Sequence, residues 1–243
     1  MKLRIQTSLA SRTAPIGSAG LELRVGAGDC IPSFRETVDP VVHRGEILDW
    51  CWAGRAAPGE RVSGDLPVVF TWERGALVGL IDGLGHGEQA AWAARRAADA
   101  LEPWAQRPLP ELVQRCHEAI RDTRGVVMTL VSFDASAGTA TALGVGNIEA
   151  LLYRFAGDAA PKRETILLRG GVVGYQLPSL QATELAIAAN DRLVIATDGI
   201  REDFCDLITG DAPLTGLVQR ILNQKSRGTD DALVLACDYK GGA

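Results

Sequence analysis

The chain has 243 residues, 47% hydrophobic and 23% charged, the balance of a globular protein that can bury a core. A net charge of −5 and a pI near 5.3 argue against nucleic acid as a partner, because phosphate-backbone binding rests on clustered Lys and Arg. No run reaches the roughly 18 apolar residues of a membrane span, and the start MKLRIQTSLASRT lacks a signal peptide's apolar segment, so a cytoplasmic protein with no membrane partner is expected.

Residues 1–45 are rich in Gly, Pro, Ser and Arg and read as an N-terminal extension of unknown role, with LELRVGAGDC its one strand-like piece. Residues 46–243 read as the main domain. Its first strand is EILDWCWAG; DLPVVFTW and GALVGLID follow with only Glu73 and Arg74 between them, a link short enough to require an antiparallel hairpin. GEQAAWAARRAADAL then sets Ala90, Ala94, Ala97 and Leu101 at helical spacing, a small-residue face suited to lying close on a sheet. LPELVQRCHEAIRDTRG repeats the signal with Pro110 in its first turn and Gly125 past its end; His117 on it reads as a surface residue.

VVMTLVSFD, TATALGV and IEALLYRF come next, separated by ASAG and by Gly146-Asn147, and read as an antiparallel meander. Two weaker strands, TILLR and ATELAIA, lead to DRLVIATDGI, a helix through LTGLVQRILNQ, and a last strand ALVLACDY. Grouped strands, grouped helices and hairpin-length links indicate an α+β fold with antiparallel sheets. The five cysteines, Cys30, Cys51, Cys116, Cys205 and Cys237, show no C-x-x-C spacing and read as free buried thiols.

Chemistry is concentrated in acids at strand ends. ALVGLI exits into Asp82-Gly83 and RLVIAT into Asp198-Gly199, Asp230-Asp231 stands before ALVLAC, and Asp65 opens LPVVF. Asp-Gly alone is turn chemistry. Four acidic positions at strand ends with no Cys/His grouping describe hard oxygen donors, suited to Mg²⁺ or Mn²⁺ rather than zinc, and so many like charges in one place call for two ions. Gly83 lets the backbone turn its carbonyl toward such an ion. His86 either caps the helix start or serves as a general acid, and Arg55 and Arg61 are candidate phosphate-binding guanidiniums. The glycines of GLGHG alternate and do not form a dinucleotide fingerprint.

LIDGLGHG, ALGVGNIEALLYR, LVIATDGI and GTDDALVLAC, in that order, resemble the PPM family of metal-dependent serine/threonine phosphatases in its SpoIIE-like branch. That resemblance implies a sandwich of two antiparallel sheets flanked by helices (αββα) with a dinuclear Mn²⁺ or Mg²⁺ centre at one end. It also implies that Asp82 bridges both ions, the Gly83 carbonyl binds the second, Asp198 and Asp230 or Asp231 hold the first, and Asp65 supports the second. The implied reaction is attack of activated water on phosphoserine or phosphothreonine of a signalling partner, a stressosome scaffold of the STAS-domain type. A partner-binding module that kept the fold without catalysis and a two-metal hydrolase of small phosphoesters are the alternatives.

Overall fold

The computed structural model describes residues 40–155 and 162–241; Cys30, LELRVGAGDC and nearly all of the N-terminal extension lie outside them. In chain order the strands are β1 (His43–Arg44), β2 (Leu48–Arg55), β3 (Asp65–Trp72) and β4 (Gly75–Gly83). Helices α1 (Gly87–Leu101) and α2 (Leu109–Ala119) follow, then β5 (Val126–Asp134), β6 (Thr139–Val145), β7 (Glu149–Arg154), β8 (Lys162–Thr165), β9 (Leu168–Arg169), β10 (Thr183–Ala186) and β11 (Arg192–Ala196). A short 3-10 segment (Glu202–Leu207), α3 (Leu214–Lys225) and β12 (Ala232–Tyr239) complete it.

The strands form two six-stranded sheets. The first runs β1-β2-β12-β11-β7-β8; the second runs β10-β6-β5-β4-β3, with β9 attached to β6. Every pairing is antiparallel except the two-residue contact of β6 with β9. The apolar faces of the sheets meet in a core that includes Trp50, Trp52, Val78, Leu80, Phe133 and Tyr239. Helices α1 and α2 cover the outer face of the second sheet through Ala94, Ala97, Leu101, Leu112 and Cys116. Helix α3 covers the first through Leu217, Val218, Ile221 and Leu222. The result is the expected αββα sandwich.

The alanine stripe has a structural consequence. A side chain on Gly83 would begin 2.0 Å from the carbonyl oxygen of Ala90, so the first turns of α1 lie directly on the exit of β4. Only small residues permit that approach.

Three expectations are corrected. The meander is broken: β5 and β6 form a hairpin, but β7 pairs with β11 in the opposite sheet. Gly146, at φ +106°, lets the chain pass over Val127, whose Cβ lies 2.3 Å from where its own would be, and the link changes sheets instead of reversing within one. TILLR is split, Thr165 ending β8 on the first sheet and Leu168–Arg169 forming β9 on the second. His117 is buried, because its Nδ1 accepts the backbone N–H of Gly174 at 2.9 Å from a distant loop.

His43 and Arg44 already pair with β2, and the His43 ring stacks on Trp50 at 5.5 Å, so the first sheet starts just before residue 46. Cys51, Cys116 and Cys237 are buried and free, while Cys205 is partly exposed. Burial pushes the thiols of Cys51 and Cys116 up to about 12, which leaves them protonated and inert. No described helix is long and apolar enough to cross a membrane.

Candidate metal and phosphate site

The hairpin register builds the floor of the site. Asp65 at the start of β3 and Asp82 near the end of β4 are directly opposed cross-strand partners. Residues opposed in this way have Cβ atoms about 5 Å apart, so two carboxylates are brought side by side. Asp198 follows β11 and Asp230-Asp231 precede β12; these two ends are adjacent because β11 and β12 pair with each other. Gly199 allows the approach, since a Cβ there would lie 1.8 Å from the carbonyl oxygen of Asp231. The sandwich thus gathers Asp65, Asp82, Asp198, Asp230 and Asp231 on one open cleft of about 490 Å³, where His86, Asn147 and Gly85 also stand.

The carboxylates differ in environment. Asp65 is 2% exposed; burial, reinforced by the charge of Asp82, holds its carboxyl well above the usual range, against the opposing hydrogen bond from Thr197. That bond runs from Thr197 Oγ1 to Asp65 Oδ2 at 2.8 Å, while the same hydroxyl oxygen accepts the N–H of Leu233. Asp82 is pushed up to about 8, first by burial and then by the charges of Asp198, Asp230 and Asp231. Asp198 is exposed, and its Oδ2 accepts a hydrogen bond from Asn147 Nδ2 at 2.7 Å.

The 230/231 pair is separated by geometry. Both Asp231 oxygens are engaged by backbone, Oδ1 by the N–H of Ala57 and Oδ2 by the N–H of Gly64, each at 2.7 Å. Asp231 therefore ties down the β2–β3 loop; burial raises its carboxyl while these two bonds pull it back. Asp230 is exposed, with one oxygen accepting the N–H of Asp231. Asp230 lines the cleft.

His86 is the N-cap residue of α1 but makes no side-chain capping bond. Its Nδ1 instead meets Glu60 Oε1 at 2.5 Å. Gly83 is buried behind Asp82, its N–H donating to the Gly64 carbonyl, and it does not line the cleft itself. Arg55 ends β2, Arg61 is exposed in the following loop, and neither lines the cleft. Asn147, Thr197 and Glu60 were not among the sequence candidates. Gly146-Asn147 reads as turn chemistry, Thr197 as the last residue before an Asp-Gly, and Glu60 as one more loop charge.

No Lys or Arg is among the lining residues, so no described side chain neutralises these acids within the cleft. That donor set fits divalent cations that prefer oxygen. Among the described residues, no three His, Cys, Asp or Glu side chains close by themselves around a single ion. An open, hydrated centre is the form Mg²⁺ favours, since it keeps several waters and takes one or two carboxylates.

Phosphoserine phosphatase RsbX of Bacillus subtilis (strain 168) is 23% identical over 101 residues, 42% of this chain and 51% of RsbX, so the match spans about half of that protein's length. A chain from the bacterial stressosome, a modular system adapted to control secondary messenger signaling, is 31% identical. The similarity covers 79% of this chain and all of that one, with a TM-score of 0.72. The crystal structure of RsbX in complex with magnesium has the same fold, with a TM-score of 0.73 at 17% identity over 83% of this chain and 100% of the other. Residues 73–240, well over half of the sequence, match the family Stage II sporulation protein E (SpoIIE). The chain therefore belongs to the SpoIIE family, a branch of the PPM-type serine/threonine phosphatases.

Proposed function

We propose that the chain is a cytoplasmic phosphoprotein phosphatase that removes phosphate from serine or threonine of a signalling partner, a stressosome scaffold of the STAS-domain type. One observation carries the reading: five carboxylates share a cleft whose lining contains no Ser, Thr, Cys, Tyr or Lys. A hydroxyl, thiol or amine nucleophile has no candidate there, and the reading takes up the aspartates as metal donors, so it assigns the attack to water. Two Mn²⁺ or Mg²⁺ ions, when bound, supply charge to offset the acids, activation of that water and a clamp on the phosphate oxygens.

Asp82, Asp198 and Asp230, which line the cleft, would hold the ions, with Asp65 beside Asp82 in support. Asn147 keeps the Asp198 carboxylate turned to the cleft. Asp231 holds the β2–β3 loop in place through Ala57 and Gly64. His86 stands on the cleft with Nδ1 engaged by Glu60, which leaves Nε2 to deliver a proton to the departing serine or threonine oxygen.

The test is phosphate release from a phosphorylated STAS-domain scaffold with Mn²⁺ and with chelator, beside nucleotides as small phosphoesters. Release from the scaffold only with Mn²⁺ is expected. Release that survives chelation overturns the metal-dependent reading, preference for nucleotides makes the protein a small-phosphoester hydrolase, and Mn²⁺ binding without any turnover makes it a docking module.

A further inference from the structure

The cleft as described has no cation of its own. Two divalent ions would be largely offset by the carboxylates that hold them, leaving little positive charge for an incoming phosphate dianion. Some side chain at the rim has to supply positive charge.

Arg124 lies where that charge is needed. Gly85, at φ +85°, lines the cleft, and a side chain on it would begin 2.8 Å from Arg124 Nη1, with nothing else within 4 Å. The guanidinium therefore rests against the bare backbone of the glycine loop. The turn that carries it is fixed on both sides. Thr123 Oγ1 donates to the Ile120 carbonyl at 2.7 Å and accepts the Gly125 N–H at 3.0 Å, and the Gly125 carbonyl accepts the N–H of Leu84 at 3.1 Å. The arginine and the loop between Asp82 and His86 are parts of one hydrogen-bonded unit.

Neighbouring arginines are occupied. Arg96 pairs with Asp122, Arg115 with Glu111, and Arg121 contacts His117. Arg227, at the opposite edge, already donates from Nε to the Asp198 carbonyl at 2.8 Å. Arg124 is exposed and makes no hydrogen bond or ion pair among the described residues. A planar guanidinium with its donors open, on a rigid turn beside a carboxylate-lined cleft, has the geometry to grip phosphate with two parallel N–H bonds.

We infer that Arg124 is a phosphate-binding residue of the cleft, contacting the phosphoryl oxygens of phosphoserine or phosphothreonine; this rests on the phosphatase reading. It places the phosphate grip between α2 and β5, in the TRG passage, apart from the loop of Arg55 and Arg61.

The experiment compares wild type, Arg124→Ala and Arg124→Lys, each loaded with Mn²⁺. Inorganic phosphate is titrated calorimetrically and as an inhibitor of phosphopeptide hydrolysis. Loss of a charge-assisted bidentate contact weakens phosphate binding about tenfold or more in Arg124→Ala. Arg124→Lys recovers part of it, and the Mn²⁺ activation constant and Tm do not move. Phosphate affinity within twofold of wild type in Arg124→Ala overturns the assignment. A raised KM for acidic phosphopeptides with unchanged phosphate affinity also overturns it, because the contact then goes to a flanking residue of the substrate. If wild type hydrolyses nothing, the phosphatase reading fails, and the calorimetric titration still decides whether Arg124 holds phosphate.

Discussion

Asp65 and Asp82 oppose each other on the second sheet, under the alanine face of α1, whereas Asp198 and Asp230 stand in turns at the end of the first sheet and reach solvent. The first pair is desolvated and its carboxyls resist ionisation. The second pair is hydrated and positioned by Asn147 and by the backbone N–H of Asp231. The sandwich thus divides its candidate metal donors into a buried half, where charge is costly to the fold, and an exposed half, where it costs little. Substituting each half separately tests that division.

The largest effect belongs to the buried half. Asp82→Asn removes a carboxylate that would hold the ions and lowers kcat/KM at least about 10³-fold, as befits loss of several kcal/mol of transition-state stabilisation. Its effect on stability has the opposite sign. In chelator, a carboxyl raised to about 8 from 3.8 keeps the folded state more protonated than the unfolded one between those values. Wild-type stability therefore falls as pH rises from about 4 to 8. Asp82→Asn flattens that slope and, at pH 8, melts above wild type. It also relieves Asp65, whose elevation owes its second-largest part to Asp82. Thermal melts across this pH range check the prediction; a steeper slope in the variant would mean that Asp82 is stabilised by a partner the cleft does not display.

The exposed half separates two adjacent acids. Asp230→Asn raises the Mn²⁺ activation constant about tenfold or more and leaves the Tm in chelator unchanged. Asp231→Asn does the reverse. An amide can accept from Ala57 or from Gly64 but not from both, so one buried N–H is left facing a donor, at about 1–3 kcal/mol. Melting in chelator and Mn²⁺ titration of both variants decide which acid is ligand and which is tether. Equal effects on both measurements would dissolve the distinction.

What could be read from the sequence follows the same division between local and distant causes. Helix α1, the β3–β4 hairpin and the acids at strand ends were legible because spacing, a two-residue link and the exit of an apolar run are properties of neighbouring residues. The crossing at Gly146-Asn147 was not, because the same dipeptide suits a hairpin; Val127 beneath Gly146 and Asp198 beside Asn147 decide the path. His117 read as surface because its partner, Gly174, is 57 residues away. The tether role of Asp231 was hidden for the same reason, its donors being 174 and 167 positions away in the chain.

The smallest effect tests the contact that joins the halves. Glu60 sits in the loop that Asp231 anchors to the first sheet, and His86 stands at the start of the helix that covers the second. Gly87, at φ +73°, leaves room for the Glu60 carboxylate, since a Cβ there would lie 2.5 Å from Oε2. As an exposed pair the contact is worth at most about 1 kcal/mol of stability, so Glu60→Ala barely shifts the Tm. If the pair orients the His86 ring so that Nε2–H faces the leaving oxygen, the loss depends on the substrate. Phosphoserine expels a basic alkoxide and needs the proton, whereas p-nitrophenyl phosphate expels a weakly basic phenolate and does not. Glu60→Ala then slows phosphoserine hydrolysis about tenfold and His86→Ala about 10²-fold, with p-nitrophenyl phosphate turnover near wild type in both. Equal losses on both substrates would make the pair a brace between the two halves and not part of the proton path.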